Sequence, residues 1–166
     1  MEMVRNMKHI LIVFALSLPA FGGDFMLAVG SPSAASLPAT TTNQGAPVTA
    51  TKVAKDALFA VRTEGCADPA KAQITGTAEG LVNGARQSLA LHLIPAAPGV
   101  YVVSREWVTP GVWVVNLNGV CAGAKAGALV PIGPNGFLRE SSKFFPRSTT
   151  EAELEATLKS LSGGPK

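Results

Sequence analysis

The chain has 166 residues, of which 14 are lysine or arginine and 11 are aspartate or glutamate, so its formal net charge is +3. This length suits one domain with extended ends. A charge this small excludes the strong basic field that attracts nucleic acids or anionic membrane surfaces, so we expect no nucleic-acid partner.

The N-terminus has the layout of a secretory signal peptide. Arg5 and Lys8 precede an apolar run over residues 10–18, and Pro19-Ala20-Phe21-Gly22 follows. The run is about half of the ~20 residues that a membrane-spanning helix needs. We predict a signal peptide over residues 1–22, with cleavage after Gly30 as the alternative, and no transmembrane helix after cleavage. The protein is then secreted or periplasmic; an uncleaved N-terminal anchor is the other interpretation.

Composition divides the rest of the chain into three parts. From Ser31 to Thr51 the sequence is dominated by Ser, Ala, Thr and Pro and carries no charged residue. Such a segment cannot bury enough apolar surface to offset the entropy of ordering it. We therefore predict a disordered linker over residues 31–52, a β-rich domain over residues 53–135 and a C-terminal extension over residues 136–166.

Alternation of apolar and polar residues predicts the strands of the β-rich domain. In Arg86–Ile94, Leu89, Leu91 and Leu93 share one face, and Pro95 is expected to end the strand. The other single strands that we predict are residues 57–63, residues 72–79 and a short closing strand over residues 128–132.

A β-hairpin is predicted around Thr109-Pro110-Gly111. Residues 100–107 and 112–118 alternate on either side of it, and a Pro-Gly pair suits the centre of a type II turn. Tyr101 and Trp113 lie on the two strands and are the expected core anchors.

The C-terminus predicts a helix over about residues 150–161. Thr150-x-x-Glu153 is a capping box, and Leu154, Leu158 and Leu161 follow at helical spacing. Short strands followed by one helix favour a mainly β fold, an antiparallel β-sandwich with a C-terminal α-helix.

The strand pattern also resembles a family. Arg86-Gln-Ser-Leu-Ala-Leu-His-Leu, then Gly99-Val-Tyr-Val-Val, then Trp107 and Pro110-Gly-Val-Trp-Val-Val are similar to the middle strands of Ig-like or transthyretin-like sandwich modules of exported bacterial proteins. The resemblance covers residues 57–132 and contains no catalytic motif. It implies an Ig-like sandwich and a non-enzymatic role in binding or architecture, although a fold alone does not assign a function.

Cys66 and Cys121 are the two cysteines of the chain. They are far apart in sequence, unlike the pair of a C-x-x-C redox motif, and export would place them in an oxidising compartment. We predict a structural disulfide between them. Two free thiols, or a redox or metal role, are the alternatives.

The search for catalytic chemistry finds no motif. His92 is the one histidine after the signal and lies on the polar face of its predicted strand, which indicates a surface residue. There is no G-x-S-x-G nucleophile motif. Gly76, Gly80 and Gly84 lie between predicted strands rather than at the start of a helix, so they indicate a bend rather than a phosphate loop. We predict no catalytic residue, no cofactor and no metal.

The sequence therefore predicts an exported, non-enzymatic β-sandwich protein. It would act as a binding or accessory module of the bacterial envelope, with a protein or small-molecule partner in the envelope or extracellular space. Two alternatives stay open: an exported enzyme or enzyme inhibitor whose site forms only in three dimensions, and a structural, envelope-associated protein.

Overall fold

A computed structural model describes residues 24–32, 57–107 and 110–163. The predicted signal peptide over residues 1–22, nearly all of the predicted linker and the last three residues lie outside these ranges.

The described chain forms two antiparallel sheets and one α-helix, which confirms the predicted mainly β class. Sheet A contains β1 (Met26–Gly30), β2 (Ala57–Glu64), β5 (Leu93–Ala97) and β6 (Val100–Ser104), in the spatial order β1-β2-β6-β5. Sheet B contains β3 (Gln73–Val82), β4 (Ala85–Ala90), β7 (Val112–Cys121), β8 (Ala124–Gly133), β9 (Gly136–Phe137) and β10 (Lys143–Phe145). Its order is β10-β8-β7-β3-β4, and β9 pairs with β8.

The two sheets face each other across one apolar core. Phe59 and Val61 of sheet A belong to the same buried cluster as Val115 and Leu117 of sheet B. Alternation along β2 and β7 puts these side chains on the inner faces, because successive strand residues point to opposite sides. Burial of both inner faces is the packing expected of a β-sandwich.

Two-residue turns join the hairpins within each sheet. Asn83-Gly84 connects β3 to β4, Pro98-Gly99 connects β5 to β6, and Ala122-Gly123 connects β7 to β8. Asn83 and Gly84 have φ of 51° and 78°. Positive φ at both central residues is the signature of a type I′ turn, whose twist matches that of the flanking strands.

The predicted hairpin around Pro110-Gly111 is wrong. β6 pairs with β2 and β5 in sheet A, whereas β7 pairs with β3 and β8 in sheet B. Both sides of β7 are therefore occupied, and no side is left for β6. The chain between Ser104 and Val112 crosses from one sheet to the other.

The predicted single strand over Arg86–Ile94 is also wrong, because it is divided at Leu91-His92. β4 belongs to sheet B and β5 to sheet A. Pro95 does not end a strand but lies inside β5, at the edge of sheet A. An edge strand tolerates a residue without a backbone N–H, since its outer side has no ladder to complete.

The predicted bend at the three glycines and the predicted closing strand also differ from the structure. Gly76 and Gly80 lie inside β3 rather than in a bend, and of the three glycines only Gly84 lies in a turn. The closing strand predicted over residues 128–132 is the longer β8. It begins directly after the Ala122-Gly123 turn, because Cys121 already pairs with Ala124.

Sheet A also includes residues from before the predicted linker. Phe25, Leu27 and Val29 are buried in the core between the sheets, and β1 pairs with β2. At the other end, β9 and β10 extend sheet B into the predicted C-terminal extension. The sandwich therefore draws on both sides of the predicted domain over residues 53–135.

The predicted C-terminal helix is α1 (Glu151–Ser162), and its capping box is confirmed. Leu154 and Leu158 pack against Val114 and Leu129 on the outer face of sheet B. The helix thus forms a third layer, because residues of even number on β7 point away from the sandwich core.

Polar contacts fix the chain just before the helix. Thr149 Oγ1 donates to Asn116 Oδ1 at 2.6 Å, and the Thr149 backbone N donates to Asn118 Oδ1 at 2.9 Å. A Cβ at Gly127 would lie 2.7 Å from the Arg147 carbonyl oxygen, so glycine is needed where this segment crosses β8. The position of α1 is therefore set by β7 and β8.

Arg86 fixes the start of the helix to β4. Its guanidinium bonds to Glu151 on α1 and to Glu79 on β3, at 3.2 Å from Glu79 Oε2. Glu79 is buried and also accepts a hydrogen bond from Ser88 at 2.6 Å. A buried carboxylate is costly unless it is paired in this way, so the network joins two strands to the helix.

The Arg147–Glu153 pair predicts a pH dependence of stability. Hydrogen bonds from Arg147, and then from the Thr150 backbone, lower the pKa of Glu153 to about 2 from an ordinary value of 4.5. A carboxyl group with a depressed folded pKa stabilises the fold above its unfolded pKa, and this contribution is lost as pH falls through the folded pKa. We expect the free energy of unfolding to fall more steeply between about pH 4.5 and 2 in the wild type than in Glu153→Gln.

Denaturant unfolding across this pH range measures the effect. Glu140→Gln is the matched control, because Glu140 is an exposed carboxylate outside the pair. The change in acid slope caused by Glu153→Gln is measured against this variant. An identical slope in Glu153→Gln would contradict the prediction.

Candidate functional site

A cavity of about 390 Å³ lies at the end of the sandwich where the chain crosses from β6 to β7. This size is in the lower part of the range of small-ligand sites, roughly 300–1,000 Å³. The crossing segment, the turn after β8 and the end of α1 form its wall. The lining residues are Arg105, Trp107, Pro110, Gly111, Val112, Trp113, Ile132, Gly133, Pro134, Leu138 and Leu161.

Two tryptophans form the inner side of the cavity. Trp107 and Trp113 have ring centroids 5.5 Å apart and planes inclined by 30°. Both are nearly buried, with 6% and 2% of their surface exposed. Offset aromatic pairs at this separation stabilise each other beyond their buried area, so the inner wall is held in place.

Trp113 requires a glycine on the neighbouring strand. It pairs with Gly80 of β3 in the sheet register, and an added Cβ at Gly80 would lie 2.5 Å from the indole ring. The ring therefore lies flat against the backbone of β3. The role of Gly80 was not visible in the sequence, because it depends on which strand becomes the neighbour of β7.

Neither indole N–H has an acceptor within the described residues. The Nε1 atoms of Trp107 and Trp113 are buried and make no hydrogen bond there. Leaving a buried donor unpaired costs on the order of 1–3 kcal/mol. A Cβ at Gly111 would lie 2.9 Å from Trp113 Nε1, so a residue with a side chain at this position would crowd the indole.

Arg105 is the one ionisable side chain in the described lining. It is partly buried, and Nη2 donates to the Gly133 carbonyl oxygen at 3.3 Å. No carboxylate of the described chain pairs with it. The sequence placed Arg105 on a strand with Tyr101, Val103 and Trp107; the signal that could have singled it out is a charge inside an otherwise apolar alternation.

Of the residues that the sequence singled out, Trp113 lines the cavity, whereas Tyr101, Cys66 and Cys121 lie elsewhere. Tyr101 is partly buried, and its hydroxyl donates to the Ala72 carbonyl oxygen at 3.2 Å. Cys66 and Cys121 form the predicted disulfide, with Cα atoms 6.0 Å apart. Cys121 ends β7, whereas Trp113 lies near its start. The disulfide therefore supports the fold at the opposite end from the cavity.

His92 is exposed. Among the described residues there is no group of three or more His, Cys, Asp or Glu side chains close enough to share a metal ion. Of the helices in the described ranges, none is long and apolar enough to cross a membrane.

An apolar groove runs along β1, at the edge of sheet A. Residues 26–29, Phe137 and Phe144 line it together with Arg139 and Ser142. Met26 and Phe144 are 47% and 44% exposed, which is high for large apolar side chains. The edge of the sandwich at β1 is thus markedly apolar, and it is separate from the cavity beside the tryptophans.

Comparisons of the chain with protein-family models, with curated proteins and with solved structures find no match. The resemblance to Ig-like and transthyretin-like modules stays a prediction from the strand pattern.

Proposed function

We propose that this protein is an exported binding module of the bacterial envelope that holds a small ligand in the cavity beside Trp107 and Trp113. The observation that carries the proposal is an apolar cavity of about 390 Å³ whose two buried indole donors have no acceptor in the described chain. Buried polar groups in folded proteins are almost always hydrogen-bonded. A ligand that brings an acceptor into the cavity would complete the site.

The chemistry of the lining supports binding rather than conversion. Apart from Arg105, the side chains of the described lining carry no acid, base or nucleophile. A guanidinium stays protonated in proteins and has no acceptor atom, which makes it a poor general base. Arg105 is suited to holding a ligand in place.

The signal layout and the Cys66–Cys121 bond support export, because disulfides persist in oxidising compartments. We propose cleavage after Gly22. This leaves β1 whole, whereas cleavage after Gly30 would remove Phe25, Leu27 and Val29, which are buried in the core.

The test uses the exported protein, whose intact mass shows whether it begins at Gly23. The protein is titrated with small apolar compounds while tryptophan emission is recorded. The chain has two tryptophans, and both line the cavity, so the emission reports on this site. We expect a saturable change in emission intensity or wavelength for at least one class of compound.

A pair of variants on β7 localises the binding. Val112 lines the cavity, and Val112→Phe should narrow it and weaken binding. Val120→Phe makes the same change eight residues further along the same strand, at a position that is 40% exposed and outside the cavity. Binding that is equal in the two variants, each folded by its thermal transition, or an emission that no compound changes, would overturn the proposed function.

A further inference from the structure

We propose that the ligand of this cavity is a small organic acid, with its carboxylate against Arg105 and an apolar body against the tryptophans. This inference rests on the proposed function and names the chemical class of its ligand. Three properties of the described site lead to it: an unpaired cation, a lining that supplies donors, and apolar walls.

The cation is the guanidinium of Arg105. Within the described chain its one hydrogen bond goes to a neutral carbonyl, that of Gly133, at 3.3 Å. By contrast, Arg86 and Arg147 each pair with glutamate. A partly buried cation without a counter-charge attracts an anion, and the fork of a guanidinium matches the two oxygens of a carboxylate.

The other polar side-chain groups of the described lining are donors as well. Trp107 Nε1 and Trp113 Nε1 can only donate, and neither has an acceptor there. A ligand group that also donates, such as an ammonium, would give neither indole N–H an acceptor and would face the charge of Arg105. The lining therefore selects a group that accepts hydrogen bonds.

The remaining walls select an apolar body. Pro110, Val112, Ile132, Pro134, Leu138 and Leu161 offer hydrocarbon surface without a second charge. A phosphate dianion would be left with one charge uncompensated in these surroundings. A singly charged carboxylate on an aromatic or aliphatic body matches one guanidinium and an apolar cavity.

The experiment compares an acid with its neutral amide on the unmodified exported protein. The probes are 3-phenylpropanoate and 3-phenylpropanamide, which have the same apolar body. N-acetyl-Ala-Ala-Phe, with either a free or an amidated C-terminus, presents the same carboxylate from a peptide. We expect each acid that binds to do so at least about tenfold more tightly than its amide, as a charge-assisted hydrogen bond is roughly twice as strong as a neutral one.

Variants of Arg105 then assign the preference. Arg105→Gln keeps a donor but removes the charge, and it should bring the affinity for the acid down to that for the amide. Arg105→Lys keeps the charge without the fork and should retain part of the preference. Lys125→Gln is the charge-matched control, because Lys125 is exposed near the start of β8 whereas the cavity meets the end of β8 at Ile132 and Gly133.

The outcomes separate this inference from the proposed function. A preference for 3-phenylpropanoate that Arg105→Gln removes supports a free acid; the same result with the peptide pair alone supports a peptide terminus as the source of the carboxylate. Equal binding of acid and amide would contradict the inference that the ligand is an organic acid, but not the proposal that the cavity binds a ligand. If neither acid nor amide changes tryptophan emission while other apolar compounds do, the organic acid is ruled out as the ligand and the binding cavity stands. If no compound changes the emission, both proposals fail.

Discussion

Replacing Trp113 with alanine should lower the free energy of unfolding by about 3–5 kcal/mol, the range found for large aromatic truncations in cores. The side chain is 2% exposed and lies between β3 and the core. Its removal would leave a void against Gly80, which has no side chain to fill it, and would take away the stacking partner of Trp107. The surrounding strands are paired on both sides and cannot close around the gap.

A second variant separates packing from hydrogen bonding. Trp113→Phe keeps an aromatic ring and loses an N–H that has no acceptor in the described chain, so it should cost less than Trp113→Ala. Val120→Ala on the same strand is the control, since Val120 is 40% exposed and should change stability little. Denaturant unfolding measures the free energy of unfolding of each variant and of the wild type. A loss under about 1 kcal/mol for Trp113→Ala would show that the ring does not support the core.

Removing the disulfide should have the next largest effect. Replacing both Cys66 and Cys121 with alanine should lower the free energy of unfolding by about 2–4 kcal/mol. The bond spans 55 positions and joins the loop after β2, in sheet A, to the end of β7, in sheet B. Its loss raises the conformational entropy of the unfolded chain and removes the covalent link between the two sheets at that end.

Chemical unfolding of the double variant, compared with the reduced wild type, measures this contribution. The two should agree, because both lack the bond. Ligand binding in the native double variant should be unchanged, since the cavity lies at the opposite end of β7. Equal stability of the oxidised and reduced protein would contradict a stabilising role of the disulfide. A loss of binding without a loss of folded structure would show that the bond also supports the cavity.

Several elements were determined by the sequence because their signals are local. The capping box at Thr150 and Glu153 requires only residues within one turn of helix, and α1 begins where it predicts. The strand expected over residues 57–63 is β2, since period-two alternation depends on a single segment facing one core. The pairing of Cys66 with Cys121 followed from a count of two cysteines in a chain with a predicted signal peptide.

The tertiary structure alone decided which strands are neighbours. Pro110-Gly111 has the local chemistry of a turn, yet β3 and β8 occupy both sides of β7, so the chain crosses between sheets there. The same competition for partners divided the predicted strand over residues 86–94 between the two sheets. Turn residues set how the chain bends, whereas the sheet that receives the next strand depends on hydrogen-bonding partners far away in sequence.

The candidate site belongs to this second group. Its cavity exists because the crossing segment brings Arg105 and Trp107 to the start of β7, next to Trp113 and the turn after β8. Trp113 was recognised from the sequence as a large apolar residue on a strand. Within the described residues Arg105 has no carboxylate partner and the two indole donors have no acceptor. The sequence could not predict this, because a missing partner depends on everything that surrounds a group rather than on the residues beside it in the chain.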